Sequence, residues 1–418
     1  MSPAEVQGST RLDRALAAVM LAGICTFLNV YCTQPLLPYL SEVFRASEIE
    51  VSLTVSATIF AVALVAPFIG LVAERRGRKK VIVPSLFLLT IPTLLAATAS
   101  NLHTLILWRF AQGLFVPGII AVMLAYINEE WAGRGIGQAM AYYVTGTVIG
   151  GFLGRFLSGV IATHWNWRGT FIVLGVLNLI GAILVRAWLP LAKNFVRVEH
   201  ISHAFSDARR HLANPRLLAN FANGGTFLFA LVGCFTYTNF YLADAPFRLN
   251  SAQLGSIFFV YLLGVIITPL SGRFLDRYGF RRTSVLYTAM MIGGLLLTLI
   301  PRLMADIAGL AVFSSGVFIA QAAGHRADGN HRRPCEVFCR GPLCHLLLSR
   351  RIARGLGNWM VLGVARMAGM RCVAGRRLVD QLGDGLPKFA ATRKTRTRRR
   401  RTGGINLFPI WDGLAASW

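Results

Sequence analysis

Ten apolar runs recur along the first three quarters of the chain, each close to the ~20 residues a helix needs to cross the hydrocarbon core of a bilayer. They cover 15–40, 51–73, 81–99, 102–127, 137–162, 169–189, 217–243, 253–275, 283–301 and 303–323. Composition agrees: 55% of the 418 residues are hydrophobic and only 15% are Asp, Glu, Lys or Arg, against about 25% charged in a soluble domain. Folded in water, such a chain would expose apolar patches that soluble monomers rarely carry. An ordinary cytosolic enzyme, a disordered chain and a coiled coil are excluded. An all-α polytopic membrane protein remains. The first run is too long for a cleavable signal and has no small-residue cleavage site after it.

Loop charge sets orientation. With the N-terminus in the cytoplasm, the inner segments hold 17 Lys and Arg and the outer loops hold 4. The sequence therefore predicts an N-terminus inside. Linkers are short except 190–216, which is polar and basic. The predicted organisation is a six-helix half over 1–189, a cytoplasmic linker over 190–216, and four helices over 217–323.

Two loops repeat one pattern. The first reads Gly70-Leu-Val-Ala-Glu74-Arg75-Arg-Gly77-Arg78-Lys79-Lys80, and the second Gly272-Arg-Phe-Leu-Asp276-Arg277-Tyr-Gly279-Phe-Arg281-Arg282. Both fit G-x-x-x-[DE]-R-x-G-x-[RK]-[RK], two helices into each half. A single copy is an ordinary positive-inside anchor. Two copies in equivalent places argue for an internal duplication of the kind transporters carry.

In these paired loops the sequence resembles the major facilitator superfamily. Its signature loop lies between helices 2 and 3, with a weaker echo between helices 8 and 9. Arg109-Phe-Ala-Gln112-Gly113 resembles the family's R-x-x-Q-G motif, and Tyr31-Cys-Thr-Gln34-Pro35-Leu-Leu-Pro38 resembles the branch of sugar-efflux and acriflavine-resistance exporters. The resemblance covers about residues 12–323. It implies two six-helix halves rocking about a central cavity in a bacterial inner membrane, proton coupling, and a coupling role for Arg109. The linker would be the pivot. The paired loops would be cytoplasmic latches carried by Glu74, Arg78, Asp276 and Arg282, with the motif's Gly70, Arg75, Gly77, Lys79, Gly272, Arg277 and Gly279.

Intramembrane cations are functional candidates by default. Arg109 is one, with Gln112 beside it, and Arg155 is a second that can face the cavity. Arg109 has a structural alternative, bonding the carbonyls of a neighbouring helix. Gly146, Gly150 and Gly154 make one smooth helical face, which fits close packing. The exporters' glycine motif at this place often carries a Gly-Pro pair, which is missing here. Asn29, Tyr31, Gln34, Asn223, Tyr237 and Asn239 are polar groups within runs, and each is either a lining of the substrate path or an interhelical bond. Phe227, Phe229, Phe235 and Phe240 read as lipid-facing or core. No Asp or Glu lies in the middle of any run; Asp306 and the other acids sit near ends. The residues alone thus supply no obvious proton carrier.

After Ala323 the apolar runs stop, where the family has two more helices. Residues 324–418 hold 19 Lys and Arg against 5 Asp and Glu. Cys335, Cys339, Cys344 and His345 lack the paired spacing of a zinc site. Seven basic residues within 393–401 offer an anionic-lipid or nucleic-acid surface. A reading-frame change is the third explanation. One permitted codon set for 333–352, read one base later, gives APARSSAAGLYVTFYYLGGS, which resembles the family's eleventh helix. Residues 359–374, read likewise, permit GWFLGLRGWPGCVAL, which resembles the start of a twelfth.

The sequence is thus read as a secondary transporter that exports a small organic solute or drug, with bilayer, substrate and protons as partners. It is read as a monomer without cofactor, metal or nucleic acid. The alternatives are a transport-inactive frameshifted protein and a membrane protein whose basic tail binds lipid or nucleic acid. No phosphate-binding G-x-x-x-x-G-K-[ST] loop is present, which argues against an ATP-driven pump. Resequencing the gene across the codons for residues 321–333 separates two forms of the frame reading: a missing or extra base would give a twelve-helix protein, and a read identical to the present sequence would leave a ten-helix chain with an aberrant basic tail.

Overall fold

A computed structural model of the chain describes residues 3–131, 135–192 and 215–329. The linker residues 193–214, the tail from 330 onward, the side chains of Asn223 and Asp276 and the surroundings of Gly272 lie outside the described residues.

The described chain is helical. α1 (Pro3–Val30) and α2 (Leu37–Phe44) together make the first span, joined through a 3-10 turn at Gln34–Leu36. α3 (Glu48–Arg76) and α4 (Lys79–Ala96) follow. α5 (Leu102–Phe115) and α6 (Pro117–Glu130) form one span bent at Pro117, and α7 (Ile136–His164) and α8 (Trp167–Trp188) complete six. The second part holds α9 (Pro215–Ala243), α10 (Ser251–Ile257), α11 (Leu263–Leu297, which turns at Gly279) and α12 (Leu303–Gly329). Eight of these stretches are long and apolar enough to cross a bilayer, and two shorter apolar helices, Ser251–Leu262 and Arg282–Leu297, flank the turn of α11.

Polar caps start the helices at the end away from the basic loops. Ser47 accepts from the Glu50 amide while Glu50 accepts from the Ser47 amide at 2.7 Å, opening α3. Asn101 accepts from Thr104 at 2.8 Å to open α5, and Asn166 from Gly169 at 2.7 Å to open α8. Asn250 and Gln253 make a reciprocal pair at α10. Each cap occupies amides that a helix start leaves unpaired, and so permits two- to seven-residue loops between spans.

The apolar core divides in two. One cluster joins the first six spans, and the other joins α9 to α12. Phe152 of α7 belongs to the second cluster and Phe240 of α9 to the first, so these two helices stitch the halves together. Phe227 and Phe235 are core, whereas Phe229 is exposed on the bundle's outer face.

α1 and α7 pack backbone to backbone. A Cβ on Gly146, Gly150 or Gly154 would run into the backbone of Met20, Ile24 and Leu28 respectively. Gly23 answers from α1 against Tyr143 and Thr147. The four-residue spacing on both helices lets the backbones touch along a seam. Gly150→Leu is expected to destabilise the bundle by about 1–3 kcal/mol, the usual cost of overpacking. Gly137→Leu, where nothing lies within reach of a Cβ, should be neutral. Unfolding midpoints in graded denaturing detergent check this, and equal midpoints for both variants would refute the seam.

Candidate functional site

The first span cannot be one continuous helix. Pro35 and Pro38 have no amide to give to Tyr31 and Gln34, and their rings crowd the preceding turn. The chain tightens instead, with the Gln34 amide bonding Tyr31 O at 3.1 Å and the Leu36 amide bonding Thr33 O at 3.0 Å. Carbonyls at the end of α1 then need other donors, because in hydrocarbon no water supplies them.

Arg109 supplies them. It stands seven residues beyond the start of α5 and is fully buried. Its guanidinium donates to Asn29 O at 2.8 Å and Val30 O at 2.5 Å in the first span, and to Thr54 O of α3 at 3.0 Å. It also bonds the Gln112 side chain and reaches Cys32 Sγ at 3.5 Å. Every one of these partners is neutral.

The rest of the R-x-x-Q-G motif serves the same junction. Gln112 donates to Thr93 Oγ1 at 2.9 Å, and Thr93 donates to Asn29 Oδ1 at 3.2 Å. Asn29 donates to Asn178 at 3.2 Å, which donates to Thr90 Oγ1 at 2.7 Å and Leu86 O at 3.0 Å. This chain of bonds ties α1, α4, α5 and α8. A Cβ on Gly113 would strike Thr58 and Ala61, so the glycine lets α5 lie directly on α3. Thr58 then bonds Arg109 O at 3.0 Å.

Arg155 belongs to a different cluster, at the contact between the halves. Its Nε donates to Gln34 Oε1 at 2.7 Å and one terminal nitrogen to Gly151 O at 2.6 Å. Three rings surround it, with centroids 4.4 Å (Tyr31), 4.7 Å (Phe258) and 4.8 Å (Tyr261) from Cζ. Gln34 turns its amide to Thr236 Oγ1 at 3.1 Å and Val232 O at 3.4 Å, while Asn239 donates to Gln34 O at 3.0 Å. Thus Tyr31, Gln34 and Asn239 meet at Arg155, whereas Asn29 joins the Arg109 network. Tyr237 is half-buried and enters neither cluster among the described contacts.

At the opposite end, Gly77 (φ 87°, ψ 145°) and Gly279 (φ 76°, ψ 167°) adopt the same backbone conformation, one reserved for glycine. Arg78 donates to Glu129 through Nε at 3.1 Å and one terminal nitrogen at 2.6 Å, joining α4 to the end of α6 within the first half. Lys79 donates to Leu189 O at the end of α8. Glu129 is the partner that sequence reading missed. Glu74 is half-buried, Arg75 and Arg282 are exposed, and Arg277 stacks 5.6 Å from the Tyr278 ring centroid.

Asp306 is the second omission. Judged by position it lies near a run's end, but it is 1% exposed and neither carboxyl oxygen has a hydrogen-bond partner. Cys234 and Tyr241 of α9 lie within its electrostatic reach, and among the described residues no cation does. Packing of α9 over the first turn of α12 buries it, and nothing local in sequence signals that cover.

Removing the Arg109 guanidinium frees three buried carbonyls, each worth about 1–3 kcal/mol when left unpaired. Arg109→Ala is therefore expected to abolish accumulation of monodisperse protein, with partial recovery in Arg109→Lys. Size-exclusion profiles of the detergent-extracted variants check this; a normal Arg109→Ala profile would remove the capping role.

Comparisons agree with this architecture. The family model of the Major Facilitator Superfamily matches residues 19–326. An uncharacterized transporter of Buchnera aphidicola subsp. Schizaphis graminum is 31% identical over 334 residues, covering 79% of this chain and 80% of the relative. The inner membrane transport protein YnfM of Escherichia coli is 32% identical over 276 residues, covering 65% and 66%. A bacterial homologue of the human lysosomal transporter Spinster, in an inward-facing and occupied conformation, superposes with a TM-score of 0.60 at 14% identity, covering 83% of this chain and 77% of that one. With the paired loops, the R-x-x-Q-G junction and the helical halves in place, the chain belongs to the Major Facilitator Superfamily of secondary transporters.

Proposed function

We propose that this chain is a proton-coupled exporter of a small organic solute, working as a monomer by alternating access in a bacterial inner membrane with its N-terminus in the cytoplasm. One observation carries the reading. Among the described residues, hydrogen bonds between the halves run through Gln34, Asn239 and Thr163, all toward the end away from the basic loops. Gly159 and Gly255 bring α7 and α10 into backbone contact at the same end. A bonded contact between the halves at that end fits a rocking transporter in one of its two states.

In this reading Arg109 and Gln112 hold the broken first span rigid, and Arg155 and Gln34 gate the contact between halves. Asp306 carries the proton. A buried carboxyl with neither donor nor cation beside it can shed its cost by taking up a proton. Arginines bound to neutral acceptors have no such exchange to offer. The Arg78–Glu129 pair braces the cytoplasmic end of the first half.

Proteoliposomes containing the full chain test this with acriflavine, chloramphenicol and benzoate as probes. An imposed pH gradient is expected to drive at least one probe uphill, and Asp306→Asn should lower that flux to the protein-free rate while leaving probe exchange intact. Gradient-driven flux that survives in Asp306→Asn would move the proton site elsewhere. A parent chain that moves no probe would end the exporter reading.

A further inference from the structure

We infer that Arg155 anchors the carboxylate of a monoanionic organic solute, with Tyr31, Phe258 and Tyr261 receiving its flat or apolar body. This inference rests on the transporter reading above and narrows its substrate class.

Charge comes first. Arg155 is 4% exposed, and the groups within its electrostatic reach are Tyr31, Tyr261 and Cys32, none of them a carboxylate. A buried charge is costly unless it is paired. Here the cation is held by one amide oxygen, one carbonyl and three ring faces. Those partners orient it without neutralising it. Arg109 differs, because backbone carbonyls and a glutamine hold its fork on several sides and it lies within the first half.

Donors come second. A guanidinium carries five N–H groups, and Arg155 commits one from Nε and one from a terminal nitrogen. The second terminal nitrogen has no hydrogen bond among the described contacts. The Tyr261 ring, 4.8 Å from Cζ, carries a buried hydroxyl without a partner in a residue that is 6% exposed. An unspent fork arm and an orphaned hydroxyl on one of the rings that cage it are donors suited to carboxylate oxygens.

The walls come third. Tyr261 stacks on Phe235 at 4.9 Å and on Phe258 at 5.6 Å, and Phe152, Phe156 and Phe259 form a ring cluster next to them. A small inorganic anion would waste this surface. A dianion would exceed the single cation and leave net negative charge in a low-dielectric site. The match is a monocarboxylate with an aromatic or aliphatic body.

Placement gives it a role in transport. Tyr31, Gln34 and Arg155 come from the first half, while Phe258 and Tyr261 come from the second. A ligand held by both sets is released when the halves part.

Calorimetric titration of the purified full chain in detergent tests the assignment with three isosteres: benzoate, benzamide and benzamidine. Benzoate is expected to bind saturably, with the neutral and cationic isosteres weaker by about 30-fold or more, the scale of a lost charge partner. Phenyl phosphate should also be weaker than benzoate. Arg155→Gln should weaken benzoate by about the same 30-fold or more, with Arg155→Lys intermediate. Tyr261→Phe, which removes one hydroxyl only, should weaken it by about 3- to 10-fold. Elution volume and helical circular dichroism certify each variant. If Arg155→Gln does not fold, Tyr261→Phe and the isostere ranking decide. Equal binding of benzoate and benzamide, unchanged benzoate affinity in a folded Arg155→Gln, or no benzoate binding by the folded parent overturns the anion site. None of these equilibrium results measures pH-driven flux, and movement of any one of the three transport probes judges the transporter reading separately.

Discussion

A break in a membrane helix requires donors for the carbonyls it exposes, and in this bundle one guanidinium meets that requirement. Arg109 of α5 reaches across to Asn29 and Val30 and back to Thr54. Three spans are thereby fixed at one depth, about 10 Å from the start of α5 at 1.5 Å per residue. The rest of the first half is arranged around this knot. Gln112 extends it to Thr93, Asn29 extends it to Asn178, and Gly113 brings α5 close enough to α3 for the guanidinium to reach. The break itself turns Tyr31 and Gln34 toward the second half. The groups around Arg155 are therefore positioned by an arginine one helix away.

Two buried cations in one bundle have different consequences. Arg109 is held by carbonyls from two spans and a glutamine, which makes it a structural fastening in a solvent that offers no water. Arg155 is oriented mainly by aromatic faces and sits where the halves meet, so its environment changes with their separation. The glycine seam between α1 and α7 makes both possible. It holds α7 against the first span so closely that Arg155 can reach Gln34 across the interface.

Much of this was legible in the sequence. Hydropathy is a local sum over about 20 residues, and eight of the ten runs correspond to helices long and apolar enough to cross a bilayer, whereas 253–275 is interrupted by a 3-10 turn and 283–301 gives a shorter helix. The arginines, Gln112, Gln34 and Asn239 stood out because polar atoms are conspicuous in apolar text. Their partners were not legible, since Asn29 and Arg109, or Gln34 and Thr236, are brought together by tertiary packing alone. The reading of 15–40 as one helix missed the break although Pro35 and Pro38 were in view, because hydropathy does not register a lost amide. Asp306 was set aside for its place near a run's end, yet burial follows from what α9 lays over it. Glu129 was passed over for the same reason, as an end residue whose partner lies 51 positions away.

The two basic loops share more than a string of charges. Gly77 and Gly279 hold a torsion that side chains with a Cβ rarely adopt. At the acidic and basic positions of the pattern, one residue of the right sign can replace another. At these two glycines nothing can, since what is specified there is an angle and not a functional group. The kinship of the two halves is therefore written most durably in backbone geometry. It would remain readable there after every charged residue of either loop had drifted beyond recognition.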